Sequence, residues 1–245
     1  MTDPADPAPL AYRRILLKLS GEVLRAPSGA ACIDDAILAD MAAKIAAVHA
    51  LGAQIGVVIG GGNIFRGLAG AGRGFERSLG DNMGMLSTMI NSLALQAALE
   101  SAGVPAIAFA SRAMPAIAPL FTARDAKAAL AAGSVAIFGG GSGCPFFTTD
   151  SAAALRAAEI SADLLVKATK VDGVYTADPT KDPTATKFDT LSYSEALARR
   201  LRVMDSTAFS LCQDNHIPIR VLNFFEPDAL PRAARGLPVG TLVAD

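Results

Sequence analysis

Glycines, hydroxyl groups and aromatic rings are concentrated where one predicted strand turns into a helix. The stretch GGGSGCPFFTTDSAA, residues 139–153, follows the apolar VAIF and leads into a helical pattern. A plain connection of this kind needs only a few ordinary polar residues. Thr148 and Thr149 are placed to cap the helix, and the free N–H groups of a helix start form an anion site. The loop is therefore predicted to hold a ligand that carries both a phosphate and a flat ring.

Several residues of this loop have two interpretations. Phe146 and Phe147 can wall a ring, but a bare phenylalanine pair more often belongs to the core, and that interpretation is preferred. Asp150, in the first turn of the helix, suits a phosphate site only if it positions a lysine or a magnesium ion. Pro145 stiffens the turn.

A second glycine turn, KLSGE, follows another apolar stretch. Lys18 lies near the end of that strand, where desolvating a lysine is costly, and Gly21 permits backbone geometry that other residues resist. One interpretation is a cation aimed at a phosphate that is being transferred, with backbone N–H groups beside it. The alternative is a lysine at the edge of a sheet that reaches water.

A third glycine turn, GGGNIFRG, comes directly after the apolar IGVVI. Three glycines let backbone amides approach an anion closely, and Arg66 adds a guanidinium fork. The alternative is a simple glycine-rich turn. The spacing differs from the P-loop, because Leu68 and not lysine follows Gly67, and from the G-x-G-x-x-G dinucleotide motif.

Two further segments carry polar residues next to glycine. Asp81 precedes a predicted long helix and is either a ligand or an N-cap. In KATKVDGVYTADP, residues Thr169, Tyr175 and Asp178 surround a glycine turn, and the tyrosine suits either an adenine shelf or surface packing. The whole stretch 170–190 is predicted to form a hairpin or an excursion with ordered turns.

Short apolar runs that alternate with helical patterns must position these loops. The predicted strands are 13–20, 54–60, 104–110, 135–139, 163–169, 218–222 and 241–244. The predicted helices are 34–51, 82–102, 123–132, 149–161, 193–200, 206–215 and 228–234. This alternation predicts an α/β fold, a three-layer α/β/α sandwich around a mostly parallel sheet. Ligands of such a sheet bind beyond the carboxyl ends of its strands.

Composition narrows the class of protein. The chain has 245 residues and a formal net charge of −1, so there is no bulk charge for nucleic acid or an anionic membrane. Isolated cysteines and histidines argue against a zinc site and a disulfide framework and favour a cytoplasmic location; they are Cys32, Cys144, Cys212, His49 and His216. Residues 1–11 are predicted to be a disordered lead-in and not a signal peptide. No apolar run approaches the roughly 20 residues of a membrane span.

Taken together, these segments resemble the bacterial UMP kinases of the amino acid kinase family. The motifs that carry the resemblance are ILLKLSGE, GVVIGGGNIFRG, GDNMGML, GCPFFTTDSAA, KATKVDGVYTADPTKDPTA and VMDSTA, in this order. The resemblance covers the chain from about Tyr12 to the C-terminus. It implies one domain over 12–245, with a UMP-binding N-terminal part and an ATP-binding C-terminal part. It also implies transfer of the ATP γ-phosphate to UMP with Mg²⁺, in pyrimidine nucleotide biosynthesis, by a homohexamer.

The resemblance assigns roles to particular residues. Those implied to contact ATP are Lys18, Leu19, Ser20, Gly21, Gly62, Arg66, Thr169, Tyr175 and Asp178. Those implied to contact UMP are Gly61, Asp81, Ser142, Gly143, Cys144, Pro145, Phe146, Phe147, Thr148 and Thr149. Lys18, Arg66, Asp150 and Asp205 form the implied catalytic set, in which the two aspartates orient Lys18. Magnesium is implied to bind through the nucleotide phosphates.

The sequence departs from the family pattern in places. Cys144 stands where asparagine is usual, and Ser142 where threonine is usual, so uracil recognition is expected to depend more on backbone groups. Residues 25–33 do not match the loop that relatives use for GTP activation. The alternatives are a kinase of the same family that acts on a carboxylate or carbamate, and a non-catalytic oxyanion-storage protein.

The predicted helix 82–102 also suggests a subunit contact. Apolar residues follow one stripe of it, namely Met83, Leu86, Ile90, Leu93 and Ala97. Met85 and Met89 widen this apolar surface beyond what one core contact needs. The alternative is a helix fully buried within one subunit.

Overall fold

Strands and helices alternate along the chain. The computed structural model describes residues 9–26, 29, 31–65, 74–179, 181–201 and 203–245. Within them the strands are β1 Arg14–Leu19, β2 Gln54–Ile59, β3 Ala106–Ala110, β4 Val135–Gly139, β5 Leu164–Thr169, β6 Val174–Tyr175, β7 Lys187–Phe188, β8 Thr190–Leu191, β9 Ile219–Asn223 and β10 Thr241–Val243. The helices are α1 Asp35–His49, α2 Arg77–Ser101, α3 Ala123–Ala131, α4 Thr149–Ile160, α5 Tyr193–Ala198, α6 Ser206–Asp214 and α7 Ala229–Ala234, and Gly21–Leu24 form a 3₁₀ helix.

The described strands build an eight-stranded central sheet in the order β3-β4-β2-β1-β5-β9-β10-β8. All neighbouring strands in it are parallel except β9 and β10, which run antiparallel. The predicted mostly parallel sheet is therefore confirmed. The order places the ends of β4, β2, β1 and β5 side by side, and these strands lead into the glycine-rich and polar loops.

Helices cover both faces of the sheet, because its strands are apolar on both sides. Alternate residues of β1 enter different cores: Leu17 packs with α1, α2 and α7, whereas Leu16 packs with α3, α4, α5 and α6. Helix α4 is rich in buried alanines, and these small side chains allow close approach to its neighbours. The predicted three-layer sandwich is confirmed.

Two local predictions are tested by these elements. The predicted hairpin in 170–190 is confirmed, since β6 and β7 pair antiparallel with Val174 opposite Phe188. Helix α2 begins at Arg77, after its N-cap Glu76, and not at residue 82. Asp81 therefore lies inside the helix, and its interpretation as an N-cap is wrong. Two glycines in the first turns, which lower helix propensity, concealed this start.

The apolar stripe of α2 divides between core and surface. Leu86 and Ile90 are each 51% exposed, and Leu93 is exposed as well. Met89 is only 3% exposed and packs in the core, so its predicted place on a subunit surface is wrong. Among the described residues, no helix combines the length and the apolar character that crossing a membrane requires.

Candidate active site

Two glycine turns meet at the carboxyl ends of β1 and β2. A Cβ atom on Gly21 would lie 2.2 Å from the carbonyl oxygen of Gly60, and one on Gly61 would lie 2.7 Å from the Cβ of Ser87 on α2. Residues with side chains do not fit at these positions. The glycines thus let the two turns contact each other and α2, in addition to leaving backbone amides open to an anion.

A pair of buried asparagines holds this contact in place. Asn63 and Asn91 exchange side-chain hydrogen bonds at 2.8 and 3.0 Å, and both are fully buried. Asn91 also donates to the carbonyl of Gly60 at 2.7 Å, and Asn63 donates to the carbonyl of Cys32 at 2.8 Å. Because each buried amide is partnered, the network stabilises one position of the GGGN turn. The sequence analysis missed both residues.

Two lysines from neighbouring strands converge on one carboxylate. Lys18 Nζ lies 2.8 Å from Asp150 Oδ1, and Lys167 Nζ lies 2.8 Å from Asp150 Oδ2. Lys167 also donates to the carbonyl of Val203 at 2.7 Å. The ion pair supports the interpretation of Lys18 as a site lysine oriented by Asp150 over that of an edge lysine. Lys167 was missed, although a lysine inside the apolar strand LLVKAT is the same signal that singled out Lys18.

Asp150 remains charged because of these two lysines. Burial by itself raises the pKa of its carboxyl, but the nearby Lys18 and Lys167 outweigh that effect, and the pKa lies below its ordinary value. Its position in the first turn of α4 also favours negative charge through the helix dipole. The cluster is a fixed set of two cations and one anion near the carboxyl ends of the interior strands β1 and β5.

Asp205 contacts the start of α4 rather than Lys18. It caps α6 by accepting a hydrogen bond from the backbone of Ala208, and it accepts hydrogen bonds from the hydroxyls of Thr148 and Ser151. Thr148 is the N-cap of α4, as predicted. Asp205 therefore links the N-termini of two helices, and any orientation of Lys18 by Asp205 stays a prediction.

A cavity of about 590 Å³ opens between α2 and the loop after β4. The predicted UMP residues that line it are Gly61, Asp81, Ser142, Cys144, Phe147, Thr148 and Thr149, and Gly62 also lines it. Gly143, Pro145 and Phe146 lie in the same loop but outside this lining. Residues that the sequence analysis missed also contribute, among them Phe65, Arg77 and Met85. We call this space the acceptor cavity.

Asp81 joins α2 to the loop after β4. Its Oδ2 accepts hydrogen bonds from Arg77 Nε and from the backbone N–H of Phe146, each at 2.8 Å. The Arg77 guanidinium lies over the Phe146 ring, 5.4 Å from its centroid. Phe146 and Phe147 are 66% and 53% exposed, so the preferred interpretation of this pair as core is wrong.

A second cavity, of about 500 Å³, opens beyond the end of β5. Thr169, Tyr175 and Asp178 all line it, together with Lys167. The Tyr175 hydroxyl donates to Asp172 Oδ1 at 2.6 Å, a bond that lowers the pKa of Asp172 and raises that of the tyrosine. We call this space the donor cavity.

Three predicted residues remain, and two of them, Leu19 and Ser20, lie within the described part of the chain. Leu19 is fully buried, so only its backbone can reach a ligand. Ser20 precedes the 3₁₀ helix without a side-chain capping bond. Arg66 lies outside the described residues. The part of the chain that the structure describes contains no cluster of three or more His, Cys, Asp or Glu side chains suited to a metal ion.

Fold and site geometry agree with the comparisons to known proteins. The sequence profile of the amino acid kinase family matches residues 13–223, and the chain belongs to this family. The predicted resemblance to UMP kinases is confirmed by solved structures. UMP kinase from Bacillus anthracis is 38% identical, with a TM-score of 0.92 over 96% of each chain. UMP kinase from Ureaplasma parvum is 36% identical, with a TM-score of 0.90 over 95% of this chain and 99% of that one.

A more distant structure has the same architecture. Uridylate kinase from Archaeoglobus fulgidus is 29% identical, with a TM-score of 0.73 over 94% of this chain and 99% of that one. Both the family and the fold predicted from the motifs are thus borne out.

Proposed function

We propose that this protein is a UMP kinase, an enzyme that transfers the γ-phosphate of ATP to UMP and releases UDP and ADP. One observation carries the proposal: the cluster of Lys18, Asp150 and Lys167 lies between two cavities of nucleotide size. Asp150 follows Thr149, which lines the acceptor cavity, and pairs with Lys167, which lines the donor cavity. The likeness to solved UMP kinases at 36–38% identity supports it.

In this proposal UMP occupies the acceptor cavity. The positive end of the α4 dipole faces the UMP phosphate, while Thr148 Oγ1 accepts the N–H groups of Asp150 and Ser151. The carboxylate of Asp81 faces the same cavity and suits the ribose hydroxyls. The exposed face of Phe147 is available to a flat base.

ATP occupies the donor cavity in the same proposal. Tyr175 is fixed by its bond to Asp172 and offers a ring face to adenine, beside Thr169 and Asp178. The glycine turns that follow β1 and β2 lie next to the cluster and offer amides to the phosphate chain. The γ-phosphate would then lie between the two cavities, near Lys18.

Phosphoryl transfer depends mainly on positioning of the substrates and on positive charge, and it needs little covalent participation of the protein. Phosphoryl transfer spreads negative charge over the equatorial oxygens of the moving group. Lys18 and Lys167 are the cations that can stabilise this charge, and Asp150 holds both ammonium groups in place before the substrate arrives. Preorganised charges of this kind need no rearrangement during the reaction.

A magnesium ion fits this site when the nucleotide phosphates serve as its main ligands. Magnesium in kinases is commonly bound by one or two carboxylates together with substrate phosphates and water, without an all-protein cage. The described residues match that pattern, since they form no three-ligand cluster and offer Asp150 and Asp205 near the start of α4. When bound, the ion would neutralise phosphate charge; the lysines and glycine amides orient the phosphates around it.

Two alternatives remain distinguishable by one experiment. A kinase acting on a carboxylate or carbamate needs no acceptor cavity of about 590 Å³, and a storage protein needs no paired catalytic lysines. ATP consumption should be measured with UMP, glutamate and carbamate in parallel. We expect turnover with UMP alone. Turnover with glutamate or carbamate, or no turnover with any of the three acceptors, would overturn the proposal.

We further propose that the enzyme acts in pyrimidine nucleotide biosynthesis in the cytoplasm as a homohexamer built from dimers. The exposed apolar residues of α2 support subunit contact, because a monomer rarely leaves such a stripe in water. The exposed stripe consists of Leu86, Ile90 and Leu93 from the predicted stripe and of Leu79, each at least 36% exposed.

A further inference from the structure

Ser111 and Arg112 donate to the carbonyls of alternate residues, from the last residue of β4 into the loop that follows. The carbonyl of Gly139 accepts from Ser111 N at 3.0 Å and from Ser111 Oγ at 2.9 Å. The carbonyl of Gly141 accepts from Ser111 Oγ at 2.7 Å, and that of Gly143 from Arg112 Nε at 2.8 Å. Two residues that follow β3 thus hold the loop that lines the acceptor cavity through hydrogen bonds to its backbone.

The loop packs on Ser111 without spare room. Gly140 and Gly143 have φ angles of 81° and 82°, which residues with side chains rarely adopt. A Cβ atom on Gly140 would lie 3.2 Å from the Cβ of Ser111, and one on Gly143 would lie 3.1 Å from its carbonyl oxygen. Gly140 and Gly143 therefore have little room for a side chain on the side of Ser111.

One hydroxyl cannot satisfy two carbonyls alone. Ser111 Oγ carries a single hydrogen, yet it lies within hydrogen-bond distance of both Gly139 O and Gly141 O. Arg156 Nη2 lies 3.1 Å from Ser111 Oγ and 3.5 Å from Gly141 O. The guanidinium thus supplies a second donor to this point and fixes the orientation of the hydroxyl.

Arg156 is itself held rigidly. It is 4% exposed, and its guanidinium lies over the ring of Phe121, 3.9 Å from the centroid. Its Nη1 pairs with Glu159. Burying a guanidinium is costly, and here Nη1 and Nη2 have partners whereas the buried Nε has no hydrogen-bond partner among the described residues. Arg156 lies on α4, the helix whose first turn carries Asp150.

We propose that Arg156 is a positioning residue for the acceptor loop, acting through Ser111. It sets the position of the loop segment that presents Ser142 and Cys144 to the acceptor cavity, and so the affinity for the acceptor nucleotide. This inference rests on the proposed function. Because Arg156 lies on the same helix as Asp150, it also ties the acceptor loop to the lysine cluster.

The test compares Arg156→Met and Ser111→Ala with the parent enzyme. Arg156→Met keeps the apolar stem but removes the fork. We expect each variant to raise the KM for UMP roughly tenfold, with kcat and the KM for ATP within about twofold of the parent. The double variant should be little worse than the poorer single variant, because both act on the same carbonyls. Arg156→Lys, which keeps one donor and the charge, should recover part of the loss.

A matched control removes the other contact of the same guanidinium. Glu159→Gln weakens the ion pair at Nη1 but leaves the bond to Ser111, and it should keep the parent KM for UMP. Thermal melting reports whether each variant is folded. If Arg156→Met does not fold, Ser111→Ala alone decides between the outcomes.

The outcomes separate the two proposals. A parent enzyme without UMP-dependent ATP consumption would overturn the proposed function and this inference with it. An active parent whose folded variants keep the parent KM for UMP would overturn this inference alone. A lower kcat together with equally raised KM values for UMP and ATP would also overturn this inference. A merely structural role would weaken every step in that way.

Discussion

Lys18 and Lys167 are direct partners across β1 and β5, and both ammonium groups lie 2.8 Å from opposite oxygens of Asp150. Like charges placed opposite each other in a sheet repel, so the pair depends on the carboxylate between them. The arrangement keeps two cations close together beside Thr149, which lines the acceptor cavity, and one of the cations, Lys167, lines the donor cavity.

Substitution of Lys18 by alanine should remove most turnover and leave UMP binding largely intact. Lys18 is positioned for charge that develops in the transition state, and it does not line the acceptor cavity. Losing one such contact commonly lowers kcat on the order of 10²–10³-fold. Steady-state kinetics and calorimetric titration with UMP check both parts. Turnover within a few-fold of the parent would show that Lys18 has no such role.

Substitution of Lys167 by methionine should lower kcat and also raise the KM for ATP. Lys167 differs from Lys18 because it lines the donor cavity as well as pairing with Asp150. We expect a loss in kcat/KM for ATP of about 10²-fold or more. Lys127→Met is the matched control, since Lys127 hydrogen-bonds Ser161 and lines neither cavity. Similar losses in both variants would refute a specific role.

Acid should weaken the fold partly through Asp150. The pKa of this carboxyl is lower in the folded protein than its ordinary value of about 3.9, so its charge stabilises the fold above about pH 4. That contribution is lost as the pH falls below about 4 and through the lowered pKa. The gap in unfolding free energy between the parent and Asp150→Asn should therefore be largest near neutral pH and shrink in acid. Urea denaturation across this range measures it, and a constant gap would contradict the sign.

The sequence predicted the sheet and most loops of the site because each depends on local signals. Apolar runs identify strands buried on both faces, and glycine turns after them mark the carboxyl edge. Residues whose role depends on distant partners were missed. Arg156 becomes informative only where α4 brings it to Ser111. Lys167 did carry a local signal, a lysine inside an apolar strand, but no glycine turn follows it directly as one follows Lys18.

Local patterns also misled where the tertiary structure decides. Phe146 and Phe147 are exposed. Phe146 adopts a φ of 72° and its ring lies against the guanidinium of Arg77, a contact that composition cannot reveal. Asp81 lies within α2 because tertiary packing extends the helix through Gly80 and Gly84 despite their low propensity. In both cases long-range contacts outweigh the local preference.

The exposed stripe of α2 should mediate assembly. Ile90→Asp should lower the sedimenting mass, because Ile90 is 51% exposed and a charge in an apolar contact is poorly solvated. Leu237→Asp is the matched control, since Leu237 is 39% exposed and lies far along the chain from this stripe. Analytical ultracentrifugation of the parent at micromolar concentration should show an oligomer. A single species of 25.1 kDa would rule out the proposed hexamer.

The three cysteines should report where UMP binds. Cys144 is exposed and lines the acceptor cavity, whereas Cys32 is exposed outside that lining. Cys212 is buried, and burial together with nearby Asp150 raises the pKa of its thiol to about 12. The thiolate is the reactive form, so burial and the raised pKa should leave Cys212 unlabelled in the folded protein.

Saturating UMP should slow alkylation of Cys144 much more than that of Cys32, because nucleotide in the acceptor cavity covers one thiol and leaves the other open. ATP alone should protect Cys144 less, since the donor cavity has no residue of this loop in its lining. Timed alkylation followed by peptide mapping gives the rate for each cysteine, with Cys212 as the buried reference. Equal labelling of Cys144 with and without UMP would place the nucleotide outside this loop, and the assignment of the acceptor cavity would then be wrong.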